Sequence, residues 1–293
     1  MGKDPTRVFV TLALASAAFY GAGDFLGGIA SKRLDAVVVT FIAQAAGLVL
    51  LALLLPLLPS SSPVPADYLW GVAAGVSGSG GVALLYRALA IGTMSIVAPI
   101  TAVCAAAVPV LVALVLGERP GMYAGAGIVL AAAAIVLLSR VQSVEVTPRR
   151  MQSAVSLAFI SGIAVGLFFL CLAQTSDDAG VWPLIVGRGV SVPLFAVMAV
   201  TRGRRLSREG GIHRLERGAV RTAVGCGVVD MTANALYLIA TRYGPLSLVA
   251  TLASLYPAST VLLARFTLGE RLSGSQALGV ACALVAVVLI VSA

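Results

Sequence analysis

Four charged side chains stand inside stretches that are otherwise apolar: Asp24, Arg87, Arg188 and Asp230. A charge at the centre of a lipid-facing helix costs roughly 2.5–3.5 kcal/mol on insertion scales. Such a residue therefore faces a water-filled cavity, an opposite charge or a ligand. Tyr20 precedes Asp24 by four residues, which places both on one helical face. That pairing suits a cation or proton site with a ring as its wall. The alternative is that Asp24, toward the far end of its helix, meets loop water or Lys32 and Arg33. Asp230, Asn234 and Tyr237 fall at i, i+4 and i+7, one polar stripe down an apolar helix. Asp230 then either handles substrate or protons, or is locked in an ion pair with Arg188.

Arg188 itself needs a carboxylate, backbone carbonyls or an anionic substrate group; Gln44 holds the comparable place in the second apolar stretch. Arg87 lies nearer a helix end, where its guanidinium can snorkel to the interface. Tyr86 and Tyr256 supply further rings able to line a cavity, whereas Trp182, beside Pro183, reads as an interface anchor. The candidate substrate-binding residues are thus Tyr20, Asp24, Tyr86, Arg188, Asp230, Asn234, Tyr237 and Tyr256. No catalytic set is legible. The single histidine, His213, sits in an Arg-rich segment, and there is no Walker A motif. No metal or cofactor site is expected. The four cysteines lie apart in apolar stretches and read as small packing residues.

The composition of the whole chain settles its class. Of 293 residues, 59 % are hydrophobic and only 11 % charged, and the mean hydropathy is +1.02. Soluble domains average about 45–50 % apolar and about 25 % charged. A water-soluble enzyme, a nucleic-acid-binding domain and a disordered chain are excluded on that ground. The pI near 9.8 points to cytoplasmic loops facing anionic lipid rather than to nucleic acid. The first apolar run is too long for a signal-peptide core and reads as a span.

A hydrocarbon core about 30 Å thick needs roughly 20 apolar helical residues. Ten stretches qualify, near 8–30, 36–58, 68–91, 94–116, 121–139, 152–174, 181–201, 219–241, 244–267 and 272–291. The backbone must satisfy itself in lipid, so an all-α polytopic membrane protein of ten transmembrane helices is expected. The glycine cluster Gly75 to Gly81 lies inside the third stretch, where small residues permit close helix contact or unwinding around a ligand.

The two halves repeat. Displacing the chain by 152 residues brings Gly92-Thr93-Met94-Ser95-Ile96-Val97-Ala98 onto Gly244-Pro245-Leu246-Ser247-Leu248-Val249-Ala250, and Leu116-Gly117-Glu118-Arg119 onto Leu268-Gly269-Glu270-Arg271. Five spans per copy is odd, so the second copy enters the membrane from the opposite side. Residues 1–146 and 147–293 form two inverted five-helix repeats, the plan of secondary transporters with a midplane site. Glu118 and Glu270 are expected to cap the helix that follows each of them.

The stretch Leu85-Tyr86-Arg87-Ala88-Leu89 through Gly117-Glu118-Arg119 to Gly127 resembles the end of an EamA module. So does Leu236-Tyr237 through Gly244, Tyr256-Pro257 and Gly269-Glu270-Arg271 to Gly279. The resemblance covers nearly the whole chain and is strongest over the last three spans of each half. It implies a ten-helix transporter of the drug/metabolite transporter superfamily, which moves small metabolites, and a cavity formed by the first, third, fourth, sixth, eighth and ninth spans. The expected function is secondary transport of a small polar metabolite, an amine or amino acid, across the cell membrane by alternating access. Asp24 or Asp230 would exchange a proton for the substrate. A flippase for a lipid-linked sugar and a non-transporting membrane subunit are the competing readings. Expected partners are the substrate and membrane lipids, with no nucleic acid, in a monomer or homodimer.

Positive loop residues distribute unevenly. The side of the N-terminus holds Lys3, Arg7, Arg119 and Arg242, and the other side holds the remaining fourteen outside span interiors. Positive loops stay cytoplasmic, so both termini are expected outside. The family resemblance implies the reverse.

Overall fold

The computed structural model describes residues 5–58, 60–92, 94–138, 148–208, 216–268 and 274–291. The second Gly-Glu-Arg, Gly269 to Arg271, lies outside the described residues, as do much of the Arg140–Arg150 segment and the middle of the Arg202–Arg221 loop. Every regular element described is helical. In chain order they are α1 (Pro5–Ser31), α2 (Ala36–Leu54, continued by a 3-10 turn Leu55–Leu57), α3 (Pro65–Ile91), α4 (Met94–Val115) and α5 (Met122–Leu138), then α6 (Pro148–Ala173), α7 (Trp182–Arg208), α8 (Arg217–Ala240), α9 (Leu246–Ala253), α10 (Tyr256–Leu268) and α11 (Gly274–Val291). By length and composition, α1, α2, α3, α6, α7 and α8 can each cross a membrane, and four shorter apolar stretches complete the ten spans.

Helix starts follow local chemistry. The Asp35 side chain accepts the Val37 N–H at 2.9 Å and opens α2. Pro65 occupies the first turn of α3, where a missing N–H costs nothing, and the Asp67 carboxylate accepts the Val64 N–H at 2.8 Å.

The 152-residue displacement carries α3 onto α8, α4 onto α9 and α10, and α5 onto α11. The tertiary contacts obey it. The two most extensive helix pairings are α1 with α8 and α3 with α6, which the repeat exchanges. The counterparts α5 and α11 pack on each other, as do α2 and α7. A matched pair of hydrogen bonds shows the same relation: Ser16 Oγ donates to the Ala233 carbonyl at 2.9 Å, and Ser161 Oγ to the Gly81 carbonyl at 2.8 Å. Gly81 and Ala233 are 152 residues apart.

Small residues make these crossings. A Cβ on Gly227 would lie 2.1 Å from the Ala43 carbonyl oxygen, so α2 and α8 touch backbone to backbone. Likewise α3 remains one continuous helix through Gly75 to Gly81 and uses the glycines for contact: a Cβ on Gly75 would meet the Gly187 carbonyl at 2.4 Å. Gly227→Ala is therefore expected to cost about 1–3 kcal/mol through overpacking. Gly125→Ala, with open space around it in α5, should be neutral or gain up to about 1 kcal/mol. Unfolding midpoints of the two purified variants compare them directly. Equal midpoints would show that α2 and α8 are not in close contact at Gly227.

The ninth span differs from expectation. It is not one helix over 244–267 but two, α9 and α10, separated at Ser254 and Leu255. Pro257 has no N–H to give Ala253 and its ring excludes that carbonyl from a continuing helix. The break lies against α1, where a Cβ on Gly21 would come within 2.4 Å of the Tyr256 carbonyl oxygen. Thr260 Oγ donates to the Gly21 carbonyl at 3.1 Å, and Ser259 Oγ to that of Ala17 at 3.0 Å.

Candidate functional site

A cavity lies between the two repeats, with about 710 Å³ of empty space including its open mouth. The pair α1–α8 brings Tyr20, Asp24, Asp230 and Asn234 to it. The pair α3–α6 brings Gly78, Val82, Val165, Phe168 and Phe169. Its walls are thus unlike: one carries the acids, the other rings and aliphatic groups. Thr101 of α4 and Tyr256 of α10 complete the expected lining. Two spans join that were not expected, α2 through Gln44 and α7 through Pro183, Leu184, Gly187 and Arg188.

Polar groups form a chain along this wall. Arg188 Nη2 donates to Asp230 Oδ2 at 2.7 Å. The same oxygen accepts Asn234 Nδ2 at 2.9 Å, and Asn234 Oδ1 accepts the Tyr20 hydroxyl at 2.7 Å. Beside it the Ser191 hydroxyl donates to Gln44 Oε1 at 3.0 Å. The Arg188 and Asp230 side chains are 11 % and 19 % exposed, and both line the cavity. Arg188 is held where it is by glycine: Gly187 packs on Gly71 and Gly75 of α3 and lets α7 approach closely.

Asp24 is different. It lines the cavity next to the α1–α8 crossing, where a Cβ on Gly23 would lie 3.7 Å from Asp230 Cα. No side chain among the described residues hydrogen-bonds or ion-pairs with it, Lys32 and Arg33 included. Arg33 instead pairs with Glu216 at 2.7 Å. Around the acids, Tyr20 stands edge-on to Tyr256 (6.4 Å between centroids) and 5.6 Å from Phe169, which lies 5.7 Å from Phe168.

Two tyrosines named from the sequence stand outside the cavity lining. Tyr86 is 2 % exposed, sits under Gly27 and meets Cys226 Sγ at 3.0 Å through its hydroxyl. Tyr237 is fully buried, stacks on Phe169 at 4.5 Å and donates to that residue's carbonyl at 3.3 Å. Its place at i+7 from Asp230 put it on the right face but one turn too far along. Phe168 and Phe169 line the cavity without having been singled out. Nothing distinguishes a phenylalanine in an apolar run until its neighbours are known.

The Gly-Glu-Arg turn acts between the repeats. Gly117 takes φ +96°, and Glu118 N–H reaches back to the Ala113 carbonyl at 2.9 Å, closing α4. The Glu118 carboxylate does not cap α5, which follows it. It accepts the Ser247 hydroxyl and the Ser247 N–H (3.4 Å) in the first turn of α9. Negative charge is favoured there by the unsatisfied N–H groups. At the same membrane end Asp67 accepts the N–H and the hydroxyl of Ser176, both at 2.7 Å. Arg242 donates to the carbonyls of Asp177 and Gly180. Glu118→Ala and Ser247→Ala should each cost about 0.5–2 kcal/mol, the usual worth of a helix cap. Because both remove one contact, the double variant should cost little more than either. Additive losses in denaturation would separate the two residues.

The sequence pattern of the EamA-like transporter family matches residues 8–140 and again residues 152–292. The chain belongs to the EamA-like transporter family. The two matches coincide with the two structural repeats, so the chain is an integral membrane transporter of the drug/metabolite transporter superfamily built from a pair of EamA units. A solved crystal structure is similar in fold, with a TM-score of 0.69 at 17 % identity over 96 % of this chain and 95 % of that one. No curated protein sequence matches the chain. In this EamA transporter three of the four charged residues inside spans, Asp24, Arg188 and Asp230, line the cavity where the repeats meet.

Proposed function

We propose that this protein is a secondary transporter that carries a small cationic or zwitterionic metabolite, an amine or amino acid, across the cell membrane by alternating access. The observation that carries the reading is Asp24, a carboxylate without a protein partner among the described residues, set in a cavity walled by tyrosine and phenylalanine. Carboxylates and ring faces both attract cations. Asp230 is already matched by Arg188, so Asp24 is the acid left for an ammonium group or a proton. Binding of either neutralises the cavity, and exchange of one for the other couples substrate movement to a proton gradient. Arg188 donates one N–H to Asp230, and the remaining donors of its guanidinium suit the carboxylate of a zwitterion. Two inverted units exchange conformations between states of similar energy, which gives access from each side in turn.

The deciding experiment is a thermal-shift screen of purified protein against amines, amino acids, sugars and nucleotides, followed by uptake of the hits into proteoliposomes with and without a pH gradient. Stabilisation by amines or amino acids, with uptake driven by the gradient, is the expected result. Binding of phosphorylated or acidic compounds alone would overturn it.

The fourteen-to-four distribution of loop cations supports both termini outside and the Arg202–Arg221 loop in the cytoplasm. A single cysteine at Ser207, in a variant lacking the native cysteines, should be protected from an impermeant thiol reagent in intact cells. Its labelling would reverse the orientation.

A further inference from the structure

A second cleft lies at the membrane end opposite Glu118, between α3, α7 and the α1–α2 turn, with about 1410 Å³ of empty space including its mouth. It is separate from the transport cavity. On α3 the cavity uses Gly75, Gly78, Ser79, Val82 and Leu85, whereas the cleft uses Val76, Gly80, Ala83, Leu84, Arg87 and Ala90 on the other face. Apolar side chains, Leu194 and Met198 of α7 among them, make most of its wall, and both are well exposed.

Three polar features from neighbouring helix ends belong to its lining. Arg87 is exposed and has no acidic partner among the described residues. It lies four residues before the end of α3, about 6 Å along the helix axis, the depth of a lipid headgroup rather than of the bilayer centre. Arg202 also lines the cleft and shares Asp35 with the start of α2, at 3.1 Å, so the lining carries one net positive charge. Ser31, 6 % exposed, lines the cleft as well, and its hydroxyl has no hydrogen-bond partner among the described residues. A buried hydroxyl left unpaired is costly unless a ligand supplies its partner. The count of loop cations along the sequence assigns fourteen to the side of this end.

We infer that the cleft binds an anionic phospholipid. Its phosphodiester accepts from Arg87 and from the Ser31 hydroxyl, and its acyl chain lies on the Leu194–Met198 wall. An apolar wall beneath a guanidinium and a hydroxyl matches the build of a phospholipid, with charge at one end and hydrocarbon at the other. Basic pockets between spans on the cytoplasmic side bind such headgroups for the same reason. This site stands independently of what the central cavity carries.

Native mass spectrometry of delipidated, full-length protein tests it, with phosphatidylglycerol, phosphatidylcholine and inorganic phosphate titrated separately. Phosphatidylglycerol should bind tightest, and phosphate alone should not bind over the same concentrations. Arg87→Gln should weaken phosphatidylglycerol about five-fold, the effect of one cationic side chain at a bilayer surface. Should that variant not fold, Met198→Trp, which fills the apolar wall and leaves the cations in place, should weaken the lipid by a similar factor. Phosphate binding as tightly as the lipid would make this a soluble-anion site. Equal binding of the two lipids, or variants that bind like the parent, would show an apolar crevice with no headgroup recognition. Each of those results overturns the proposal.

Discussion

Asp24→Asn is expected to abolish concentrative uptake while leaving the protein folded. The side chain has no ion pair or hydrogen bond to lose among the described residues, and it lines open space. Removing an unpartnered charge from a half-buried place should change stability by no more than about 1 kcal/mol. Its loss to function is larger. A charge-assisted contact to an ammonium group is worth about 1.5–3 kcal/mol, so substrate affinity should fall about 10- to 150-fold. Proton exchange goes with it, because an amide does not titrate. Binding by thermal shift and gradient-driven uptake in proteoliposomes measure the two effects separately. Unchanged uptake, or loss of the folded protein, would remove Asp24 from the centre of the mechanism.

The second large effect concerns Arg188 and Asp230. Their 2.7 Å pair is mostly shielded from water and joins α7 to α8. Breaking such a pair from one side strands a charge and costs about 3–5 kcal/mol. Arg188→Met and Asp230→Asn should each destabilise by that amount. The Asp230 change also disturbs the bonds to Asn234 and, through it, Tyr20. The double variant strands no charge and should recover most of the loss, giving a coupling energy well above the scatter of independent sites. It should remain inactive, since the wall of the cavity has lost its polar chain. If the single losses simply add, the two residues do not hold each other, and Arg188 is free to serve an anionic substrate group instead.

The sequence by itself determined the solvent, the helices and the repeat. Uniform apolar runs of membrane length admit only helices, since in lipid each backbone group must find its partner within its own segment. The helix bounds fall close to those read from hydropathy because both follow from the same local composition. The inversion follows from arithmetic: an odd number of spans per copy. Charged residues within spans were legible one by one, because each is too costly to be accidental.

Only the tertiary structure decided who meets whom. Whether Asp24 or Asp230 faces Arg188 depends on how α1, α7 and α8 cross, and those crossings are set by glycines that meet backbone atoms of distant helices. Tyr86 and Tyr237 look like Tyr20 and Tyr256 in sequence. They part company because one is buried beneath Gly27 and the other stacked on Phe169. The spacing of Glu118 suggested a cap on its own next helix, yet its charge serves α9, which arrives from the other repeat 129 residues later. Local spacing fixes which face of a helix a residue occupies. Which neighbour that face finds is fixed by packing between segments far apart in the chain, and no single segment encodes it.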